Sequence, residues 1–331
     1  MNVYLVTGGA GFIGSNYIST LIENKKNKII VIDKLSYAGN IANIKNFINK
    51  KNFHFIKTNI SNSKKIIDIL NKHRPNYIVN FAAESHVDTS ITFPNRFLIN
   101  NVKHSVSFLN VVLNYWKKIK INKNKFKFIQ VSTDEVYGSL SKKEKPFTEK
   151  STIKPGNPYS ASKAAFDHFV LSYFNTYGMP NIITRCSNNF GQNQNIEKLI
   201  PKCINNIYLN KKIPIYGNGN QIRDWLHVLD HCNAINTVIK SGKNGEIYNI
   251  GNNTEITNIN LVKNICKIFD NIKDNNKYKH STLISFVKDR LGHDLRYSIN
   301  SSKIRKELKW KPQKNFNKEL ENTVKFYLNR N

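Results

Sequence analysis

The sequence is poor in cysteine and in long apolar runs, and each shortage excludes a class of protein. Its 331 residues include only four cysteines, Cys186, Cys203, Cys232 and Cys266, and these lie far apart. This is neither the close pairing of a zinc site nor the density of a disulfide scaffold, so we expect reduced core cysteines and no metal site. No apolar run reaches the roughly 18 residues that a membrane helix needs. Because the N-terminus resembles a strand rather than a signal peptide, we expect a cytoplasmic protein with no membrane partner.

Acidic residues are also scarce, at 22 against 51 basic residues, and the resulting charge of +29 would ordinarily suggest nucleic acid as a partner. However, 43 of the basic residues are Lys, only 8 are Arg, and 51 residues are Asn, a bias typical of A/T-rich codons. Base and phosphate recognition favours Arg. The densest basic run, residues 117–127, precedes a predicted strand and so lies at the amino edge of the sheet, away from the edge where sites form. We therefore do not expect nucleic acid to be the main partner.

What the sequence does contain is enough apolar residues, 40%, for one large core and a smaller domain. Short β-branched and aromatic runs alternate with segments of helical spacing. The predicted strands are 3–7, 28–32, 53–57, 77–81 and 126–132, and the predicted helices are 12–23, 63–72, 95–118 and 159–177. This alternation predicts an α/β fold of Rossmann type, a doubly wound parallel sheet.

The alternation becomes irregular after a sixth predicted strand, 181–185, where turn signals such as 216–219 appear. We therefore place a Rossmann domain at residues 1–182 and a smaller domain at residues 183–331. One further predicted strand, 246–250, suggests that segments near 218–251 return to the first domain. The C-terminal substrate domain is thus expected to be interleaved with the first.

A glycine-rich loop follows the first predicted strand and opens the first helix. Gly8, Gly11 and Gly14 permit a tight turn, and they let backbone amides at a helix N-terminus approach a pyrophosphate. Asp33 ends the second strand, where it can accept hydrogen bonds from the adenosine ribose and repel a 2′-phosphate, which favours NAD over NADP. Alternatively, Asp33 only caps the turn before Lys34.

Two further motifs suggest catalysis. Tyr159 and Lys163 share one face of a predicted helix, where the cation can favour the phenolate. Thr133, Asp134 and Glu135 close the fifth strand at the edge where sites form, and we expect Thr133 to hydrogen-bond the Tyr159 oxygen. Neighbouring carboxyls, one protonated and one ionised, suit proton removal and loss of a hydroxyl from adjacent carbons. The alternative is a carboxylate pair engaged in capping.

Motifs over nearly the whole chain resemble the extended short-chain dehydrogenase/reductase superfamily and, within it, the dTDP-glucose 4,6-dehydratase family. The motifs are TGGAGFIGSN, DKLSYAGN, NFAAESHVD, STDEVYG, NPYSASKAAFDH, NNFGQNQNIEKLIP, PIYGNGNQIRDWLHV and DRLGHDLRY. The glycine loop and Tyr-x-x-x-Lys are common to the superfamily. The Thr-Asp-Glu triplet distinguishes dehydratases from epimerases.

This resemblance implies conversion of dTDP-glucose to dTDP-4-keto-6-deoxyglucose and water, with NAD as cofactor. Tyr159 would take the proton of the sugar's 4-hydroxyl while hydride passes to NAD. Glu135 would then remove the carbon 5 proton, Asp134 would protonate the departing 6-hydroxyl, and hydride would return to carbon 6. The resemblance also implies a homodimer formed through helices 95–118 and 159–177.

The resemblance further implies binding residues. Those implied for the cofactor are Gly8, Gly11, Phe12, Ile13, Gly14, Asp33, Lys34, Asn59, Ile60, Ala82, Tyr159 and Lys163. Those implied for the substrate are Glu84, Ser85, Asn188, Lys198, Leu199, Tyr216, Arg223, Asn258, Arg290, His293 and Tyr327. The sequence departs from the family pattern at Asn59, Thr89, Gln192 and Leu291, which affects details of the binding site rather than the catalytic set.

Three other interpretations remain open from sequence. A UDP-glucose 4,6-dehydratase or a UDP-sugar 4-epimerase would use the same fold and cofactor, although an epimerase has no need of Asp134 and Glu135 as an elimination pair. A nonenzymatic RNA-binding protein on a Rossmann scaffold would account for the charge, and it predicts salt-sensitive RNA affinity without bound NAD.

Overall fold

The computed structural model describes residues 1–119, 123–272 and 279–330. The strands in these ranges are β1 (Asn2–Thr7), β2 (Asn27–Asp33), β3 (Phe53–Lys57), β4 (Tyr77–Asn80), β5 (Lys127–Thr133), β6 (Asn181–Cys186), β7 (Asn188–Phe190), β8 (Ile213–Tyr216), β9 (Ile222–His227), β10 (Ile247–Ile250), β11 (Glu255–Thr257), β12 (Ile284–Val287) and β13 (Arg296–Tyr297). The helices are α1 (Phe12–Ile22), α2 (Ser63–His73), α3 (Val87–Thr92), α4 (Pro94–Phe97), α5 (Ser105–Lys118), α6 (Pro158–Tyr177), α7 (Leu199–Tyr208), α8 (Val228–Ser241), α9 (Asn258–Ile272), α10 (Ser302–Leu308) and α11 (Phe316–Leu328).

Seven strands form the central sheet in the order β10-β6-β5-β4-β1-β2-β3, and every neighbouring pair is parallel. The predicted α/β class and the doubly wound parallel sheet are therefore confirmed. The chain runs outward from β1 to β3 and then continues on the other side of β1 with β4. This reversal leaves a crevice at the carboxyl ends of the central strands, where α/β proteins of this type bind ligands.

Helices cover both faces of the sheet because successive residues of a buried strand point to opposite sides. Val6 of β1 packs in a cluster with Ile18 of α1 and Ile235 of α8. Its neighbour Leu5 packs in the opposite cluster, which includes Phe108 of α5 and Phe166 of α6. Burial on both sides explains why these strands are continuous β-branched and aromatic runs in the sequence.

The later part of the chain builds smaller sheets beside the carboxyl edge. Strand β9 pairs with β7, β11 and β13, and β8 pairs with β12. Helices α7, α9 and α11 enclose a separate apolar core over them. Of the segment 218–251, β9 lies in this smaller part, whereas α8 packs on α1 and β10 pairs with β6. The division at residue 182 stays a prediction.

The predicted helix 95–118 is not one α-helix. A π-helical segment, Leu98–His104, separates α4 from α5. Its wider turns bring the side chain of Asn101 inward, where the amide bonds both backbone groups of Glu84, with Oδ1 to the Glu84 nitrogen at 2.7 Å and Nδ2 to the carbonyl at 2.9 Å. Apolar spacing does not reveal this extra residue per turn.

Two absences expected from composition concern the described ranges. There, no helix is both long and apolar enough to cross a bilayer. All four cysteines are buried, as predicted, and carry free thiols. Residues 120–122 of the basic run lie outside the described residues.

Candidate active site

A cavity of about 310 Å³ opens at the carboxyl edge of the central sheet. All the residues predicted for catalysis and for the cofactor line it, together with four of those predicted for the substrate. They are Gly8, Gly11, Phe12, Ile13, Gly14, Asp33, Lys34, Asn59, Ile60, Ala82, Thr133, Asp134, Glu135, Tyr159 and Lys163, with Glu84, Ser85, Asn188 and Lys198. Residues separated by up to 190 positions in the sequence therefore face one space.

The glycine loop is packed too closely for side chains. Gly8 has a φ of +66°, and a Cβ added there would lie 2.8 Å from the backbone nitrogen of Ala82. A Cβ at Gly14 would clash with the carbonyl oxygen of Gly8. Gly11 is the N-cap of α1, so the first amides of that helix point toward the cavity without partners inside the helix. Such a cradle of backbone donors fits a pyrophosphate.

Asp33 supports this loop as well as lining the cavity. Its carboxylate accepts hydrogen bonds from the amides of Ala10, at 3.0 Å, and Leu35, at 2.8 Å. The turn-capping role considered from sequence is thus present alongside exposure to the cavity. Burial raises the pKa of Asp33, although both amides oppose that rise. The side-chain oxygen of Asn59, at the neighbouring strand end, accepts a hydrogen bond from the amide of Ser61.

Lys34 and Glu84 form an ion pair at the side of the cavity. The Lys34 Nζ lies 2.7 Å from Glu84 Oε1, and Arg96 Nη2 lies 2.9 Å from Glu84 Oε2. The next residue, Ser85, accepts a hydrogen bond on its carbonyl from Lys198 Nζ at 3.0 Å. Lys34, which the sequence assigned to the cofactor, is therefore connected through Glu84 and Ser85 to Lys198, which it assigned to the substrate.

Tyr159 and Lys163 occupy the first turns of α6. Pro158 begins that helix, and the Asn157 side chain caps it by accepting from the Ser160 amide at 2.9 Å. Both catalytic candidates are buried, and the Lys163 amine donates to the carbonyl of Val131 at 2.8 Å. Burial lowers the pKa of Lys163.

The pKa of Tyr159 differs from expectation. The sequence suggested a phenol whose pKa is lowered by a nearby cation. In the structure burial raises the pKa of Tyr159 well above its ordinary value, and the charges of Glu135 and Asp134 add to the rise. Burial and the two neighbouring carboxyls thus favour the neutral phenol.

Thr133 caps a short 3-10 turn, Asp134–Tyr137, rather than continuing the strand. Its hydroxyl accepts from the Glu135 amide at 3.3 Å and donates to Asp134 Oδ1 at 3.4 Å, so it is not aimed at Tyr159 as predicted. The turn directs both Asp134 and Glu135 into the cavity.

The two carboxyls have different surroundings. One oxygen of Asp134, Oδ2, is buried with no hydrogen-bond partner in the described residues. Burial, Glu135 and then Asp224 raise the pKa of Asp134 well above its usual range. Burial also raises the pKa of Glu135, but Arg223 and Lys198 oppose that rise. Asp134 is therefore the carboxyl of the pair that more readily keeps its proton, and Glu135 is the one that more readily ionises.

Other substrate candidates surround the cavity without lining it. Tyr216, Arg290 and His293 form an outer cluster, in which the Arg290 guanidinium lies 4.7 Å from the centre of the Tyr216 ring. Arg290 also pairs with Asp88, at 3.2 Å between Nε and Oδ1. Arg223 is buried over the Tyr297 ring and acts on the pKa of Glu135. Leu199 begins α7 directly after Lys198.

Two candidates lie elsewhere. Asn258 begins α9, and its backbone amide bonds the Gln221 carbonyl. The Tyr327 hydroxyl donates to the Gln194 carbonyl at 2.8 Å, so it contacts a segment that lines the cavity rather than the cavity itself.

The remaining departures from the family pattern have local contacts. The Thr89 amide bonds His86 in the cap of α3, and the Gln192 carbonyl accepts from Asn16 at 2.9 Å. Leu291 is exposed.

Several residues near the site were missed by sequence reasoning. The Tyr37 hydroxyl accepts a hydrogen bond from the Ser85 amide. Cys186 and Glu197 line the cavity. Asp224 contributes to the raised pKa of Asp134. Tyr37, Glu197 and Asp224 lie inside motifs that the family resemblance had already marked, which is the signal that could have found them.

Comparisons with known proteins agree over nearly the full length. Residues 5–323 match the family described as GDP-mannose 4,6 dehydratase. The dTDP-glucose 4,6-dehydratase of Haemophilus influenzae is 46% identical over 332 residues, covering 99% of this chain and 98% of that protein. The enzyme of the same name from Escherichia coli is 44% identical, with 98% and 93% covered. The crystal structure of dTDP-glucose 4,6-dehydratase from Bacillus anthracis in complex with NAD has a TM-score of 0.88 at 42% identity, with 99% and 97% covered.

Proposed function

Because the chain belongs to the GDP-mannose 4,6 dehydratase family, we propose that it is an NAD-dependent dTDP-glucose 4,6-dehydratase. The reaction converts dTDP-glucose to dTDP-4-keto-6-deoxyglucose and water. The observation that carries this proposal is the meeting of Asp134, Glu135, Tyr159 and Lys163 in one cavity beside the glycine loop. An epimerase would need the last two residues but has no use for the first two as an acid and a base.

The glycine cradle and Asp33 would hold NAD, since backbone donors suit its pyrophosphate and the Asp33 carboxylate suits the adenosine ribose. When bound, NAD supplies the hydride acceptor and donor. Ala82 packs against Gly8 and, with Ile60, forms part of the same wall. We propose residues 1–182 as the cofactor domain and residues 183–331 as the nucleotide-sugar domain.

The first step assigned to the protein is removal of the proton from the 4-hydroxyl. Tyr159 is the group that takes it, and the Lys163 cation one helical turn away favours the phenolate. Lys163 has to be protonated to do so, although burial lowers its pKa. Loss of this proton together with the carbon 4 hydride, which NAD would accept, leaves a ketone that acidifies the hydrogen on carbon 5.

Elimination then requires a base and an acid on neighbouring carbons. Glu135, whose ionised form Arg223 and Lys198 favour, removes the carbon 5 proton. Asp134, held protonated by burial and by neighbouring carboxylates, gives its proton to the hydroxyl leaving carbon 6. Arg223, Arg290 and His293 would bind the diphosphate through charge-assisted hydrogen bonds.

We propose a cytoplasmic homodimer, formed through α5, α6 and the segments beside them. Large apolar side chains on these elements are exposed in the single chain. They are Phe93, Leu98, Ile99, Phe169 and Tyr177. Contiguous exposed apolar residues commonly mark protein interfaces.

The test is incubation of the purified protein with dTDP-glucose and, in parallel, UDP-glucose, with NMR detection of product. We expect a 6-methyl, 4-keto product from dTDP-glucose, and stoichiometric NAD released on denaturation. Isomerisation to dTDP-galactose would instead identify an epimerase. Salt-sensitive RNA binding by protein free of NAD would favour the nonenzymatic alternative.

The base assignment has its own prediction. Glu135→Gln should abolish exchange of the carbon 5 hydrogen with solvent deuterium, because the amide cannot accept that proton. Asp134→Asn is the matched control, since it should retain exchange while slowing loss of water by about 100-fold or more. Normal exchange in Glu135→Gln would exclude Glu135 as the base.

A further inference from the structure

A buried ion pair lies behind Lys163, outside the residues that line the cavity. Asp167 and Arg185 are 0% and 2% exposed, and Arg185 Nε lies 3.0 Å from Asp167 Oδ2. Removing two charges from water is costly, and a buried pair is weak evidence for a gain in stability. A nearby group that benefits from the carboxylate charge would account for the pair.

The geometry connects Asp167 to Lys163. Asp167 follows Lys163 by one helical turn, as Lys163 follows Tyr159, so the three lie along one face of α6. Lys163 Nζ donates to the carbonyl of Val131, and Asp167 Oδ2 accepts from the hydroxyl of the next residue, Ser132, at 3.0 Å. The amine and the carboxylate are thus fixed to adjacent residues of β5.

The amine needs a compensating charge. Lys163 is buried, and its amine donates a hydrogen bond to a neutral carbonyl. Burial lowers the pKa of Lys163, and Asp167 is the strongest influence that raises it. The other Asp167 oxygen, Oδ1, is buried without a hydrogen-bond partner among the described residues. Both Arg185 and Ser132 bond Oδ2, so Oδ1 of the carboxylate is not engaged by either of them.

Other titratable groups around α6 do not replace it. Cys186 of β6 also acts on Lys163, but burial raises the pKa of that thiol, so it stays neutral. Arg185 is paired with Asp167 and lies 4.8 Å from the centre of the Tyr137 ring. Asp134 and Glu135, on the turn after β5, act on Tyr159.

Of the helical segments packed against α6, α3, α4 and Leu98–His104 carry four more charged or titratable groups, and α5 carries Tyr115, Lys117 and Lys118. Lys117 lies 5.1 Å from the centre of the Tyr177 ring, at the far end of α6. Asp88 is paired with Arg290, and Arg96 with Glu84. Lys103 is exposed, and the pKa of His104 is lowered by burial and then by Lys34. None of them acts on the pKa of Lys163 as Asp167 does.

We propose that Asp167 is a positioning residue of the dehydratase, a carboxylate that keeps the Lys163 amine protonated beside Tyr159. The proposal rests on the proposed function, in which that cation favours the Tyr159 phenolate. Arg185 shares the carboxylate but is not required for the effect.

The test compares variants that remove or keep the carboxylate at position 167 with one that removes its partner Arg185. In Asp167→Asn, the rate of carbon 4 oxidation in single turnovers of dTDP-glucose should decline on the alkaline side about one pH unit or more earlier than in the wild type. Asp167→Glu should restore the profile, because it keeps the charge. Arg185→Gln should leave the alkaline limb at or above its wild-type position, since it removes the competing cation and keeps the carboxylate near Lys163.

A purely structural role predicts something else, because Asp167→Asn and Arg185→Gln break the same ion pair. Equal shifts in both variants, or no shift in either, would overturn the proposal. If Asp167→Asn alone does not fold, the double variant Asp167→Asn/Arg185→Gln leaves no unpaired charge. An earlier alkaline decline there supports the proposal, and a wild-type profile overturns it.

A second readout needs no substrate and so separates this proposal from the proposed function. Tyrosinate absorbance is titrated in the NAD-loaded protein and in the same protein carrying Tyr159→Phe, and the difference reports Tyr159. We expect Asp167→Asn to move this titration to higher pH and Arg185→Gln not to do so. An unmoved titration in Asp167→Asn contradicts the proposal whether or not dTDP-glucose is turned over.

Discussion

Asp134 combines a catalytic proton with a cost to the fold. Its carboxyl is buried, one oxygen has no hydrogen-bond partner in the described residues, and its pKa lies well above the ordinary value. In the unfolded chain an aspartate ionises near pH 4, at about 3.9. As pH rises above that value, the unfolded state releases a proton that the native state keeps. The contribution of Asp134 to stability therefore falls as pH rises.

Asp134→Asn should consequently stabilise the protein while impairing the reaction. We expect a higher thermal unfolding midpoint than in the wild type near pH 8, with the gain shrinking toward zero as pH falls below about 4, where both states of the wild type carry the proton. Thermal unfolding followed by circular dichroism over this pH range measures it. The matched control is Asp68→Asn on the exposed side of α2, which should show no such pH-dependent gain. An Asp134→Asn protein less stable than the wild type at pH 8 would contradict the argument.

At the scale of elements, the glycine loop and the end of α6 use glycine for different reasons. Gly14 has no room for a side chain, because a Cβ would meet the Gly8 carbonyl. Gly178 ends α6 with a φ of +68° and has nothing within 4 Å of an added Cβ. Alanine at Gly14 therefore has to displace the cradle, whereas alanine at Gly178 only strains the backbone.

We expect Gly14→Ala to lose bound NAD and Gly178→Ala to retain it. The second change should cost about 1 kcal/mol in the free energy of unfolding, since alanine disfavours the left-handed conformation. NAD released on denaturation, measured per protein chain, distinguishes the two. Full NAD occupancy in Gly14→Ala would show that the loop does not form the cofactor cradle.

Elements stabilised by local pattern could be predicted, and those fixed by distant contacts could not. The strand 53–57 was predicted with its observed bounds from its aromatic and β-branched residues, although it is the edge strand of the sheet and His54 and Lys57 are exposed. The π-helical segment was missed, since its Asn101 side chain bonds the backbone of Glu84, a residue that lies outside the helix. The turn at Asp134 was also missed, although its cap is local, since the Thr133 hydroxyl accepts a hydrogen bond from the amide of Glu135.

The site shows the same division. Motif residues predicted the cavity, because parallel strands bring their carboxyl ends to one edge. Their protonation could not be predicted, since it depends on burial and on residues from other elements. Asp224 raises the pKa of Asp134, and Arg223 opposes the rise at Glu135. Sequence places these two beside each other but not beside the turn they act on.

At the scale of the whole molecule, the exposed apolar side chains of α6 and the π-helical segment indicate an interface with a second protein chain. Leu98 is 57% exposed, and its segment packs against α6, which exposes Phe169 and Tyr177. Apolar surface left in water costs about 25 cal/mol per Å², so covering it favours association. If a second copy covers this face, a charge at Leu98 would be buried without a partner in the dimer but remain hydrated in the monomer.

Leu98→Glu should therefore convert a dimer into a folded monomer, as measured by sedimentation velocity. Leu209→Glu is the matched control, because Leu209 is 46% exposed at the end of α7, away from the proposed interface. The control should sediment like the wild type, and both variants should keep the wild-type circular dichroism spectrum, since an exposed substitution changes stability little. A monomeric wild type would refute the homodimer. A Leu98→Glu protein that remains dimeric would place the interface elsewhere, because an unpaired carboxylate in the centre of an apolar contact costs more than that contact gains.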